Sequence, residues 1–229
     1  MLLTGPAGCG KSSTMAAYID HLNDDRAGHI ITIEDPIEFY HTSKKSVVNQ
    51  REIGSDVTSF SEALRRALRQ DPDVILVGEL RDVETFKTAI HAAETGHLVF
   101  GTIHAASASS CIGRILDLFP QEEHPSIRSA IAFNMKGIVA QKLLKSIRPG
   151  VSRVPVVEIM FIDVLIRKYV LEEQDHLIAD HIKKSVKDGM QNFTQSLKSL
   201  IDQGLIDRHD ALEIAPNREE LMMALKGIL

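Results

Sequence analysis

Residues 5–12 read Gly5-Pro6-Ala7-Gly8-Cys9-Gly10-Lys11-Ser12, which matches the pattern G-x-x-x-x-G-K-S/T. The apolar run before them, residues 1–4, predicts the end of a strand, and residues 13–23 after them predict a helix. Glycines let the backbone curl until successive N–H groups point toward phosphate oxygens. The segment therefore predicts a phosphate-binding loop between a strand and a helix.

The side chains of this loop suit a nucleoside triphosphate bound with Mg²⁺. Lys11 supplies a compact positive charge for the terminal phosphates, and the Ser12 hydroxyl suits the metal. The helix that begins near Lys11 adds its partial positive charge. A tight glycine turn that binds nothing is the alternative, but chance produces this pattern in fewer than about one chain of this length in a hundred. The predicted nucleotide-binding residues are Gly5, Pro6, Ala7, Gly8, Cys9, Gly10, Lys11, Ser12 and Ser13.

Strand and helix patterns alternate over the first 162 residues and then give way to helices alone. The run Val74–Val77 is entirely apolar, which is typical of a strand buried on both faces of a parallel sheet. We therefore predict an α/β fold with a mostly parallel sheet over residues 1–162, and a helical C-terminal region over residues 163–229. Further strands are predicted at 29–34, 47–48, 97–102, 138–147 and 154–162, and helices at 60–70, 83–94, 107–118, 126–135, 165–171, 175–186, 193–203, 208–214 and 217–229.

Composition excludes several classes of protein. With 44% hydrophobic and 25% charged residues, the 229-residue chain has the balance of a globular protein. A net charge of −5 and 5% aromatic residues argue against a nucleic-acid partner. Cys9 and Cys111 are too few for a disulfide framework or a four-cysteine zinc site. Because the sequence shows no signal segment and no run of 18 apolar residues, we expect a soluble cytoplasmic protein.

Acidic residues follow two of the predicted strands. Glu79 comes after the apolar run 74–77, where a carboxylate could hold Mg²⁺ together with Ser12; the alternative is an ordinary surface acid at a strand end. The segment 34–38 carries three carboxylates in five residues, and one of them could orient or deprotonate an attacking water. The alternative for this segment is a solvated acidic turn. In a doubly wound sheet both strand ends lie at the edge that carries the loop.

Two histidines bracket the predicted strand 97–102. His97 begins the strand and His104 follows it, and we expect both to face the nucleotide. A histidine near a terminal phosphate can sense its charge or lend a proton. The alternative is that each ring is satisfied by an ordinary backbone contact.

Four segments together resemble the type II/IV secretion ATPases: residues 5–13, 32–38, 68–82 and 96–104. They correspond to the Walker A, Asp box, Walker B and His box segments of that family. The resemblance implies a RecA-like P-loop domain that binds ATP and Mg²⁺. It implies Glu38, Glu79, His97 and His104 as catalytic residues, and Ser12 and Glu79 as metal ligands. Arg81 resembles an arginine near a subunit boundary.

The resemblance also implies an assembly and a cellular role. Segments 92–96 and 117–120 resemble the pilus-retraction branch of the family rather than the type II branch. The expected protein is one subunit of a homo-oligomeric, hexameric ring that hydrolyses ATP to drive pilus retraction, seen as twitching motility, or a related secretion. The expected location is the cytoplasmic face of the inner membrane, on a membrane platform protein.

Two departures from the family pattern modify this expectation. The family carries a PAS-like domain before the loop, and its arginines reach the nucleotide, so we expect the isolated chain to be a weak ATPase. An arginine finger is worth ~10³–10⁵ in rate. Residues 165–172 match a retraction motif in part, with Ile166, Arg167 and Glu172 agreeing; an ordinary amphipathic helix is the alternative.

Two other functions remain open from the sequence. A nucleotide-binding but weakly active regulatory or vestigial subunit of such a ring is one, favoured by the same departures. A nucleic-acid motor of RecA-like architecture is the other, and the acidic balance of the chain weighs against it.

Overall fold

The computed structural model describes residues 1–228, and the chain folds around a seven-stranded sheet. Helices pack on both of its faces. The strands are β1 (Leu2–Thr4), β2 (His29–Glu34), β3 (Val47–Glu52), β4 (Val74–Val77), β5 (Leu98–Ile103), β6 (Gly137–Lys145) and β7 (Arg153–Phe161). The helices are α1 (Lys11–Asp25), α2 (Phe60–Ala67), α3 (Val83–Glu94), α4 (Ser110–Leu116), α5 (His124–Asn134), α6 (Val164–Leu171), α7 (Ile178–Lys184), α8 (Phe193–Asp202), α9 (Arg208–Ile214) and α10 (Arg218–Leu225).

The order of the strands is β3-β2-β4-β5-β1-β6-β7. The first strand of the chain therefore lies inside the sheet, between β5 and β6, and it is parallel to both. All neighbouring strands from β3 to β6 run parallel, whereas β7 pairs antiparallel with β6. Because the carboxyl ends of parallel strands meet at one edge, the segments after β1, β2, β4 and β5 converge there.

Continuous apolar runs form the central strands because helices cover both faces of the sheet. All four residues of β4 are buried, as are Ile30, Ile31 and Ile33 of β2. On one face α2, α3, α4 and α5 contribute the larger apolar cluster, and on the other α1 covers a smaller cluster with Met15 and Ile19. The predicted α/β class with a mostly parallel sheet and a helical C-terminal region is confirmed.

The helical C-terminal region packs directly on the sheet. The N–H of Val157 in β7 donates to the Ser196 hydroxyl of α8 at 3.1 Å, and the N–H of Ile159 donates to the Gln191 carbonyl at 2.7 Å. The larger apolar cluster continues from the sheet into α6, α7, α8, α9 and α10. The strands end at Phe161 and α6 begins at Val164, but the division at residue 162 stays a prediction because the core is continuous across it.

Several elements differ in extent from the sequence prediction. The third strand runs from Val47 to Glu52, longer than the two residues predicted. The predicted helix 175–186 is α7 flanked by 3-10 turns at Asp175–Leu177 and Val186–Asp188. The last helix ends at Leu225, and Leu229, the end of the predicted helix and C-terminal region, lies outside the described residues. Within residues 1–228, no helix combines the length and apolarity needed to cross a membrane.

Truncating a central strand residue is expected to destabilise the fold strongly. Ile75 of β4 is fully buried, so Ile75→Ala leaves a cavity that the surrounding strands and helices fill only in part. We expect a loss of about 4 kcal/mol in the free energy of unfolding. Chemical denaturation measures this change. The control is Val47→Ala in the edge strand β3, where the side chain is 56% exposed and the loss should stay below about 0.5 kcal/mol. Equal losses for the two variants would contradict the buried position of β4.

Candidate nucleotide site

The glycine loop leaves β1 and enters α1 at the carboxyl edge of the sheet. It begins after Thr4 and ends where α1 begins at Lys11. Gly8 and Gly10 have φ values of 72° and 86°, in the left-handed region that favours glycine. The glycines thus give the loop a curl that residues with a β-carbon would resist. The free N–H groups of the first turn of α1 point out of the same end of the helix.

Lys11 lies folded back over the loop. Its Nζ donates to the carbonyl oxygens of Gly5 at 2.9 Å and Pro6 at 3.1 Å. The ammonium group is therefore held beside the loop, in reach of any anion that enters it. This is the position expected of a lysine that binds terminal phosphates.

Two carboxylates reach this loop from neighbouring strand ends. Glu38, in the segment after β2, accepts a hydrogen bond from the Ser12 hydroxyl with a distance of 2.7 Å. Glu79, two residues after the end of β4, lies 2.6 Å from Nε of Arg81 and 3.3 Å from Nε2 of His104. Both acids therefore come from neighbouring strands on the same side of β1 and line one cavity with the loop.

His104 connects the end of β5 with the glycine loop. Its Nδ1 lies 3.2 Å from the carbonyl oxygen of Gly5. The other ring nitrogen is the one that faces Glu79. His104 therefore lies at the edge of the sheet that carries the loop, between Gly5 and Glu79.

A cavity of about 240 Å³ joins these groups. Its volume and lining define one site at the carboxyl edge rather than separate surface features. The polar side chains that line it are Lys11, Ser12, Glu34, Asp35, Glu38, His41, Glu79, Arg81, Thr102 and His104.

The structure does not bring His97 to this cavity. His97 immediately precedes β5, and its Nδ1 lies 3.0 Å from the Ala92 carbonyl oxygen and 3.1 Å from the Thr95 hydroxyl. A six-residue strand spans about 20 Å, so the residues that flank it lie at opposite edges of the sheet. The prediction that both histidines face the nucleotide edge is wrong within this chain.

Two side chains that contact the loop or the segment after His104 are not predicted by the sequence. The buried side chain of Gln141 in β6 hydrogen bonds to the loop and to α1. Glu158 in β7 accepts a hydrogen bond from the N–H of Ala108 at 2.7 Å and so holds the segment that follows His104. Burial raises the pKa of the Glu158 carboxyl above its ordinary value, and the N–H groups of Ala108 and Ser109 oppose that rise. Neither residue has a local sequence signal, because both contacts join distant parts of the chain.

The fold and this site together define a class of protein. An inner parallel strand that leads into a glycine loop, with acids supplied by the ends of neighbouring strands, is the arrangement of a RecA-like P-loop protein. The family model described as "Type II/IV secretion system protein" matches residues 1–155. The chain belongs to this family.

Individual relatives are similar over almost the whole chain. The "Type IV pilus retractation ATPase PilT" of Pseudomonas aeruginosa is 49% identical over 215 residues, which are 94% of this chain and 62% of the relative. A "Twitching motility protein" of Neisseria gonorrhoeae is 46% identical over 221 residues, 96% of this chain and 59% of the relative. The chain therefore spans about three fifths of the length of these curated relatives.

A solved structure agrees in fold. The structure described as "Crystal Structure of the Pilus Retraction Motor PilT and Bound ADP" superposes with a TM-score of 0.88 at 47% sequence identity. The superposition covers 96% of this chain and 62% of that one. The arrangement of strands and helices described above is thus that of a pilus retraction motor over the matched part.

Proposed function

We propose that this chain is the ATP-hydrolysing part of a motor that drives type IV pilus retraction. The observation that carries the proposal is the single cavity in which Lys11, Glu38 and Glu79 converge on the glycine loop. Hydrolysis of a nucleoside triphosphate requires a cation that binds the phosphates and acids that can hold the metal and activate a water. The names of the two curated relatives, a retraction ATPase and a twitching motility protein, support the particular role.

Nucleotide binding would fall to the loop residues 5–13. Their N–H groups and the first turn of α1 would surround the phosphates, and Lys11 would exchange its two carbonyl partners for phosphate oxygens. Binding would therefore replace hydrogen bonds within the loop by charge-assisted bonds to the ligand. The bound ADP named for the similar PilT structure supports this assignment.

The residues present suit Mg²⁺ at the same place. The Ser12 hydroxyl and the Glu38 carboxylate lie 2.7 Å apart, and Glu79 lines the same cavity, so the available donors are hard oxygen atoms. We assign Ser12 and Glu79 as the residues that would hold the metal. When bound with ATP, Mg²⁺ supplies charge neutralisation across the phosphates.

Glu38 is the proposed base. Its carboxylate would accept a proton from the attacking water as the new oxygen–phosphorus bond forms and the bond from the terminal phosphorus to ADP breaks. The products are ADP and phosphate. His104, in contact with both Gly5 and Glu79, is placed to respond to the loss of the terminal phosphate. His97 lies outside the cavity of its own chain. A catalytic role for it would therefore require the cavity of a neighbouring subunit.

The assembly we propose is a homo-oligomeric ring of six subunits on a platform protein of the inner membrane, at its cytoplasmic face. Arg81 supports an interface beside the nucleotide, because its side chain reaches Glu79 while remaining 60% exposed. An ATP bound at such a boundary would hold neighbouring subunits closed, and hydrolysis would release them. The sequence resemblance to ring-forming secretion ATPases supports the number of subunits.

A chromosomal Lys11→Ala substitution tests the cellular role. In the organism that encodes this chain, we expect loss of twitching motility together with accumulation of surface pili, because pili would extend without being withdrawn. Twitching zones and pilus counts by electron microscopy measure the result. The control strain carries Val47→Ala, an exposed position far from the loop. Normal twitching with loss of a secreted protein would overturn retraction in favour of secretion.

A further inference from the structure

The residue of interest is Gln141, in the middle of β6. Thr4, the last residue of β1, pairs with Ala140, so Gln141 lies one position beyond the point where β1 ends and the loop begins. Its side chain is 3% exposed. A buried amide this close to a phosphate-binding loop needs hydrogen-bond partners, and the loop provides them.

Gln141 contacts the loop at its beginning and at its end. At the beginning, a β-carbon on Gly5 would lie 2.3 Å from the Gln141 carbonyl oxygen, so only glycine fits between β6 and the loop. At the end, Nε2 donates to the Cys9 carbonyl at 2.6 Å, and Oε1 accepts from the Thr14 hydroxyl of α1 at 2.9 Å.

The bond to Cys9 determines where an N–H group of the loop points. In a trans peptide unit the C=O and the following N–H point in opposite directions. Because the Cys9 carbonyl is drawn toward Gln141, the N–H of Gly10 is directed away from β6. The φ of 86° at Gly10 accommodates this turn of the peptide. Gln141 thereby fixes the direction of a group that a bound phosphate would need.

We propose that Gln141 is a positioning residue for nucleotide binding. It holds residues 5–10 in the curl that presents N–H groups to phosphate, and it does not touch the phosphates itself. The inference rests on the proposed function of the site. Without the bond from Nε2, the loop would also populate conformations that do not bind phosphate. The apparent affinity for the nucleotide would then be multiplied by the fraction of molecules whose loop is in the binding conformation.

Three variants separate this role from ordinary support of the fold. Gln141→Met keeps the length of the side chain and removes both hydrogen bonds. Thr14→Val removes only the bond to α1 and leaves the bond to Cys9. Val139→Ala is the matched control, because Val139 is also buried and lies two residues earlier in β6, on the same face.

The measurements are the Kd for Mg-ADP by calorimetry and Tm by thermal unfolding, on each variant of the full chain. Loss of a hydrogen bond to a buried partner corresponds to about a tenfold change in an equilibrium constant. We expect Gln141→Met to raise Kd about tenfold and Thr14→Val to raise it by less than about threefold. Val139→Ala should lower Tm as much as Gln141→Met does and leave Kd unchanged within about twofold.

The outcomes distinguish two failures. Unchanged Kd for Gln141→Met would overturn the positioning role, as would an equal rise in Kd for Gln141→Met and Val139→Ala, since both results assign Gln141 to stability alone. No binding of Mg-ADP by the unmodified chain would instead overturn the proposed function of the site.

Discussion

Lys11→Ala is expected to raise the Kd for Mg-ATP about 100-fold. The ammonium group lies within 3.1 Å of two loop carbonyl oxygens, so it is already at the phosphate site before a nucleotide enters. Removing a charged hydrogen-bond donor that has no replacement costs about 2–3 kcal/mol, which corresponds to this factor. Calorimetric titration of the purified chain with Mg-ATP measures the change.

The matched control for this prediction is Lys45→Ala. It removes the same charge from an exposed side chain whose Nζ donates to the Asp25 carbonyl at the end of α1. Its Kd should stay within about twofold of the unmodified chain, because screening weakens distant surface charges. If the two variants bound Mg-ATP equally well, residues 5–12 would not be the phosphate site.

Glu38→Gln is expected to lower kcat for ATP hydrolysis about 10²–10⁴-fold while changing the Kd for Mg-ATP by less than about threefold. The amide has the size of the carboxylate and can still accept the hydrogen bond of Ser12, but it cannot take a proton from water. The variant should therefore bind Mg-ATP almost normally but hydrolyse it much more slowly. Phosphate release at saturating Mg-ATP measures kcat, and calorimetry measures Kd.

Glu84→Gln serves as the control for this substitution. Glu84 is an exposed acid in the first turn of α3 that pairs with Arg65 away from the cavity, so its loss should leave kcat within about twofold. Normal turnover by Glu38→Gln would remove Glu38 from the role of base and leave the other carboxylates of the cavity, Glu34, Asp35 and Glu79, as candidates.

The sequence predicted those features whose causes are local. The strand Val74–Val77 and the helix Arg208–Ile214 lie where they were predicted, because a short apolar run and a helical period carry their own signal. The glycine loop, the acidic segment 34–38 and Glu79 also carried a local signal, and the family resemblance selected Glu38 within that segment. The parallel sheet brings them together because strand direction fixes which ends share an edge.

Features that depend on distant pairing were not predictable in this way. The inner position of β1 is one such feature, because Leu2 pairs with Gly101 and Ile138, which lie far along the chain from it. Gln141 is separated from Cys9 by 132 residues, so no spacing in the chain marks their contact. His97 was misplaced because its closeness to His104 in sequence hides the length of the strand between them.

The inner position of β1 has a consequence for biosynthesis. This strand is synthesised before both of its neighbours, which begin only at Leu98 and Gly137. Until those segments emerge, the nascent chain offers β1 no hydrogen-bonding partner, and the late pairing carries a large loop-closure cost. The glycine loop is thus synthesised well before the strands that hold it in place, and cellular ATP would favour the native state only after those strands have emerged.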